Sequence, residues 1–183
     1  MQQSDGGSKG SLNTAFVGND SQKYLNWLRG DRTNERTSSD SSKSYRQRDL
    51  LLGDIVNAKV TPAGPPSLNF SDSVNPGYAA FKTTWKDRPV MVYTGANDGM
   101  VHAFNGALTG TDAGNEQFAY IPSLLFGGSN SAGNDGLLAK LGNPYYQHRF
   151  YVDATPYTFD IDFKSAGVRS RPHPPRLRTG APS

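Results

Sequence analysis

The stretch VYTGANDGMVHAFNGALTG, Val92 to Gly110, decides the fold. It reads as a strand, a tight Asn97-Asp98-Gly99 turn, a second strand and another glycine-rich turn. Asp98-Gly99 is a pair that tolerates the positive φ of a two-residue hairpin turn. The first strand, Val90–Tyr93, is apolar on both faces, the pattern of a strand covered on both sides. A third strand at Gln117–Ile121 lies close enough in sequence to extend the hairpin into a meander. Three strands with such turns make part of a propeller blade, so the expected class is mainly all-β.

Outward from the hairpin, the sequence alternates short elements with long polar connectors. Residues 1–19 are rich in Gly, Ser, Asn and Gln and read as loop or disorder. NDSQKYLNWLRGDR predicts a short helix capped by Asp20 or Ser21, with Tyr24, Leu25 and Leu28 on one face and Gly30 just past its end. DLLLGDIVNAKV, Asp49 to Val60, predicts a strand near Asp54–Val60. The proline- and glycine-rich run Thr61–Pro76 reads as loop, and Tyr78–Trp85 as one or two helical turns. A short helix is expected near Leu137–Leu141, and strand on both sides of Pro156. A weak internal echo joins DIVNAKV to FYVDATP: Val56 and Val152 lie 96 residues apart, a spacing that suits two blades at about 40–45 residues each with insertions, or one blade with large loops.

Composition excludes several classes. Apolar residues are 35% of the 183, below the roughly 45–50% of an average globular chain. Without cysteine there is no disulfide framework, thiolate metal site or cysteine nucleophile. No apolar run is long enough to span a membrane, and the first residues, MQQSDGGSKG, lack the apolar stretch of a signal peptide. The net charge of +3 resides in the tail, where Lys164, Arg169, Arg171, Arg176 and Arg178 stand without an acid. Residues 1–163 are slightly acidic, and no aromatics interleave the arginines for base stacking, so a nucleic-acid partner is not expected.

In order, YLNWLRGDRTNE, YRQRDLLLGDIVNAKV, the opening hairpin, EQFAYIPSLL and YYQHRFYVDATP resemble the C-terminal region of the PilY/PilC proteins of type IV pili, from roughly Tyr24 to Phe163. The resemblance implies a modified β-propeller with quinoprotein-like blades, in a family whose members are exported to the periplasm, outer membrane or pilus tip. It implies a non-enzymatic role in pilus extension and surface adhesion, with pilus proteins (minor pilins) and host or abiotic surfaces as partners. It admits calcium in a longer family member. The implied layout is a flexible connector over 1–50 with a helix near 21–29, an incomplete propeller over 51–163 and a basic disordered tail over 164–183. KSAGVRSRPHPPRLRTGAPS, with four arginines and four prolines, departs from the family pattern and reads as a truncated or frameshifted end. An incomplete propeller would leave strand edges bare, and poor solubility is expected of it.

No residue is expected to be catalytic, cofactor-binding or metal-binding. A calcium loop needs carboxylates at alternate positions, and the pattern D-x-[DN]-x-[DN]-G does not occur. Asp98 and Asp135 read as turn residues. Arg29-Gly30-Asp31 spells the integrin-ligand tripeptide but reads as a helix end. His102, His148 and His173 are scattered, without evident carboxylate partners, and read as structural. The competing reading is a fragment of a quinone-dependent propeller dehydrogenase. Such an enzyme carries regular tryptophan repeats, whereas only Trp27 and Trp85 occur here.

Overall fold

A computed structural model of the protein describes residues 21–126 and 136–160, and the backbone of 176–178. Its elements are α1 (Ser21–Leu28), β1 (Thr61–Ala63), α2 (Tyr78–Thr84), β2 (Met91–Gly95), β3 (Val101–Asn105), β4 (Glu116–Tyr120), a 3-10 turn (Ser123–Leu125), α3 (Leu137–Leu141), β5 (Tyr157–Phe159) and β6 (Arg176–Arg178). They fall into two compact units. One draws on Met1–Val56, Ala96–Met100 and Tyr120–Asp153, the other on Asn57–Gly95, Val101–Ala119 and Ala154–Ser183.

The second unit holds the sheet. Its order is β1-β2-β3-β4, a four-stranded meander with antiparallel β1–β2 and β2–β3 pairs. The opening hairpin is the central pair of this meander, in the register Tyr93↔Ala103 and Gly95↔Val101. Ala63, Tyr93 and Ala103 form its buried cluster, with Met91 against them. The Tyr93 ring also meets Phe118 of β4 at 6.2 Å. Beside β1 runs the chain leading into β5: Thr61 Oγ1 donates to the Pro156 carbonyl at 2.6 Å, and Arg88 pairs with Asp160 at 2.7 Å.

The first unit is built on aromatic rings. α1 turns Tyr24, Trp27 and Leu28 inward. Leu25, expected on that face, is half-buried, and Trp27 takes the central place because it lies one turn from Tyr24. Tyr24 stacks on Trp27 at 5.4 Å and meets Tyr45 edge-on at 5.3 Å. The Tyr24 hydroxyl donates to the Leu138 carbonyl and accepts the Gly142 N–H at 3.0 Å, tying α1 to both ends of α3. Burial pushes its ionisation far up. Trp27 Nε1 donates to Glu35 Oε1 at 3.1 Å, and the buried Arg48 lies over the Trp27 ring while its Nε donates to the same oxygen at 2.7 Å. Residues 21–50, expected to be a flexible connector with one short helix, thus supply the largest buried side chains of the unit.

Several expectations are corrected. Asp54–Val60 is not a strand; its first backbone hydrogen bond goes to a turn, through Asp54, and a later one to a side chain, through Lys59. The strand begins at Thr61, inside the stretch read as loop, because Pro62 sits at a sheet edge where no N–H is required. Only the side of Pro156 toward Tyr157 is extended as a strand. The hairpin loop has three residues, Asn97 to Gly99: Gly99 N–H donates to Ala96 O, and Ala96 N–H to Met100 O. Gly99, at φ 88°, takes the left-handed position that closes such a loop. Arg176–Arg178 forms β6, which pairs with β5 in the register Thr158↔Leu177; the rest of the tail, expected to be disordered, lies outside the described residues. Asp20, one of the two expected caps of α1, lies outside the described residues, as do Asp135 and His173.

Candidate functional site: a knot of three sequence motifs

Three stretches that the sequence marks as distinctive meet in the first unit: Gly53-Asp54, the turn Ala96–Met100, and His148–Tyr151. Asn97 is the hub and is almost fully buried. Its N–H donates to the Asp54 carbonyl at 3.0 Å, its Nδ2 to Asp54 Oδ2 at 2.8 Å, and its Oδ1 accepts the Tyr151 N–H at 3.0 Å. Asp98 accepts the Gly53 N–H at 2.7 Å on Oδ2 and the Met100 N–H at 3.1 Å on Oδ1. His148 Nε2 lies 2.9 Å from Asp54 Oδ2 at the half-exposed rim.

Glycine is required where these segments touch. A Cβ on Gly53 would stand 2.3 Å from the Asp98 backbone nitrogen. Leu125, Leu138 and Leu141 close around Gly99 from beneath, so an apolar floor fixes the turn. The hydrogen bond from Asn97, and then the contact with His148, hold the Asp54 carboxyl below the usual carboxylate range. Nearby, burial pushes the Tyr151 hydroxyl up to about 12, and that hydroxyl has no hydrogen-bond partner among the described residues.

The chemistry available here is that of a brace. The carboxylate oxygens of Asp98, Asp54 Oδ2 and the Asn97 amide accept or donate within the knot. Among the described residues no group of three or more His, Asp or Glu side chains is arranged to hold a metal ion. The sequence reading left the histidines without carboxylates; in fact His148 meets Asp54, and in the sheet His102 Nδ1 meets Glu116 Oε1 at 2.5 Å. The partners of His148 lie 94 residues away and those of His102 fourteen, so no local motif announces them.

Arg29-Gly30-Asp31 stands at the end of α1. Gly30, at φ 109°, donates to Trp27 O and Asp31 donates to Asn26 O, the paired bonds of a glycine C-cap. Arg29 and Asp31 are both exposed, and Thr33 holds the Asp31 carboxyl below its ordinary range.

A family profile described as the PilY1 beta-propeller domain matches residues 52–169, continuing past Phe163. The type IV pilus biogenesis factor PilY1 of Pseudomonas aeruginosa strain PAK is 37% identical over 152 residues, which cover 79% of this chain and 11% of the relative. A PilY1 homolog of Xylella fastidiosa strain Temecula1 is 31% identical over 167 residues, covering 89% of this chain and 12% of the relative. The chain therefore spans roughly a tenth of the length of these relatives. No solved structure matches it. Among the described residues no helix is long and apolar enough to cross a membrane. The match over residues 52–169 and the 37% identity across most of the chain place it in the PilY1 beta-propeller family of type IV pilus biogenesis factors.

Proposed function

We propose that the chain serves type IV pilus assembly and surface adhesion as a non-enzymatic propeller scaffold. The observation that carries this reading is how the family's distinctive polar residues are used. Gly53, Asp54, Asn97 and Asp98 are tied to one another and to Met100, His148 and Tyr151 by hydrogen bonds, which fixes loop positions. A rigid sheet with anchored loops suits binding, since partner contacts are presented by loops held on a scaffold. The stretches proposed for partner contact are Ser123–His148, whose return is pinned at His148, and Thr61–Pro76, which leaves β1 and carries exposed Leu68, Phe70 and Val74.

The test is capture of purified minor pilins by the 183-residue chain, against chains in which residues 65–76 or 127–135 are replaced by Gly/Ser linkers of equal length. Specific capture that is lost on replacement is the expected result. Equal capture by all three chains removes the loop assignment. Turnover of a dye acceptor with pyrroloquinoline quinone and calcium would replace the scaffold reading by the dehydrogenase one.

A further inference from the structure

We propose that the His102–Glu116 pair is a pH-sensitive clasp that holds the outer strand β4 onto the sheet. Strands β1 to β4 contain one histidine, one carboxylate and no lysine or arginine. The histidine and the carboxylate are in contact, His102 Nδ1 to Glu116 Oε1 at 2.5 Å. The imidazole is on β3 and the carboxylate on β4, which is next to β3 at the edge of the sheet.

The two ends differ in environment. The His102 side chain is 6% exposed and the Glu116 side chain 46%. Water therefore supports the carboxylate charge at little cost, while the buried imidazole feels that charge with little screening. His102 is further fixed by Phe104, whose ring stacks on it at 5.9 Å, and it stands opposite Thr94 on β2. The other titratable groups of these strands are Tyr93 on β2, with Arg88 acting on it, and Tyr120 on β4; β1 contributes none. Burial raises the Tyr93 hydroxyl, away from the range where imidazole changes charge.

Besides this pair, β4 is held by its backbone ladder to β3 and by Phe118, whose ring meets Tyr93 at 6.2 Å. All of its residues except Ala119 are exposed, Phe118 and Tyr120 included. The clasp is at full strength when Glu116 is ionised and His102 is protonated. It weakens as the pH rises through the imidazole titration. Opening β4 bares the edge of β3, a row of backbone groups open to pairing with another strand.

The experiment is amide hydrogen exchange on the full 183-residue chain at about pH 6 and about pH 8.5, corrected for the intrinsic rate, either side of an ordinary imidazole titration. Opening of Gln117–Tyr120 is expected to rise about tenfold toward the higher pH. In Glu116→Gln, which keeps the shape and removes the charge, the rise is expected to vanish, and Glu116→Asp to restore part of it. A tenfold rise that persists in Glu116→Gln, or one shared equally by β2 and β3, overturns the proposal. In the unaltered chain, the His102 ring resonances and the Gln117 amide are expected to titrate with one midpoint. Separate midpoints overturn the clasp without relying on any variant.

Discussion

The backbone N–H of Lys59 donates to the hydroxyl of Thr155 at 3.0 Å, across 96 residues of chain. Thr158 and Pro62, also 96 apart, are joined when the Thr158 hydroxyl donates to the Pro62 carbonyl. This is the interval of the internal echo, Val56 to Val152. In this unit, residues 59–62 and 155–158 run side by side, linked by threonine hydroxyls as well as by proximity.

Thr61→Val tests that seam. The substitution keeps the shape of the side chain and removes the hydroxyl that donates to Pro156 O. The carbonyl is partly buried, so the loss is expected to be about 1 kcal/mol. The urea midpoint should fall with an unchanged slope.

Glu35→Ala tests the aromatic unit. Glu35 is buried and accepts from Trp27 and from Arg48. Its removal leaves a buried guanidinium without its carboxylate, at an expected cost of about 3–5 kcal/mol. Trp27 fluorescence should shift to the red as the Trp27–Arg48 contact loosens. A stability unchanged to within error would show that the pair is not the pin of this unit.

Gly53→Ala tests the knot. The added methyl would meet the Asp98 backbone nitrogen at 2.3 Å, and backbone cannot swing aside as a side chain can. The expected cost is at least about 1–3 kcal/mol, with early loss of exchange protection at the Tyr151 amide, which Asn97 holds.

The acid limb of stability belongs in part to Asp54. Its carboxyl is held below the usual value, chiefly by Asn97 and then by His148. A depressed carboxyl contributes stability above the unfolded value, and that stability is lost as the pH falls through the folded one. The loss should therefore begin near pH 3.8, the ordinary carboxyl value, and continue below it. Asp54→Asn should lower stability at neutral pH and flatten this acid limb, as read from thermal midpoints across the acid range.

The helix at Ser21–Leu28, the helix at Leu137–Leu141, the central hairpin and its glycine turn were legible in the sequence, because periodicity, capping glycines and turn pairs are local signals. The ordered motifs named the family before any geometry was in hand. What they did was not legible. Asp98 looked like a turn residue and is one, yet its second oxygen also carries Gly53 from 45 residues away. The strand expected at Asp54–Val60 failed because an apolar, β-branched run becomes a strand only beside a partner ladder, and here the ladder begins at Thr61. His102 and His148 looked isolated because chain order conceals which carboxylate each will meet. The sequence by itself determined the short elements and the family, since both are written in local pattern. The tertiary structure alone decided the pairings of Asp54, Asn97, Glu116 and the two histidines, since a hydrogen bond depends on distance in space and a folded chain brings together residues that its order keeps apart.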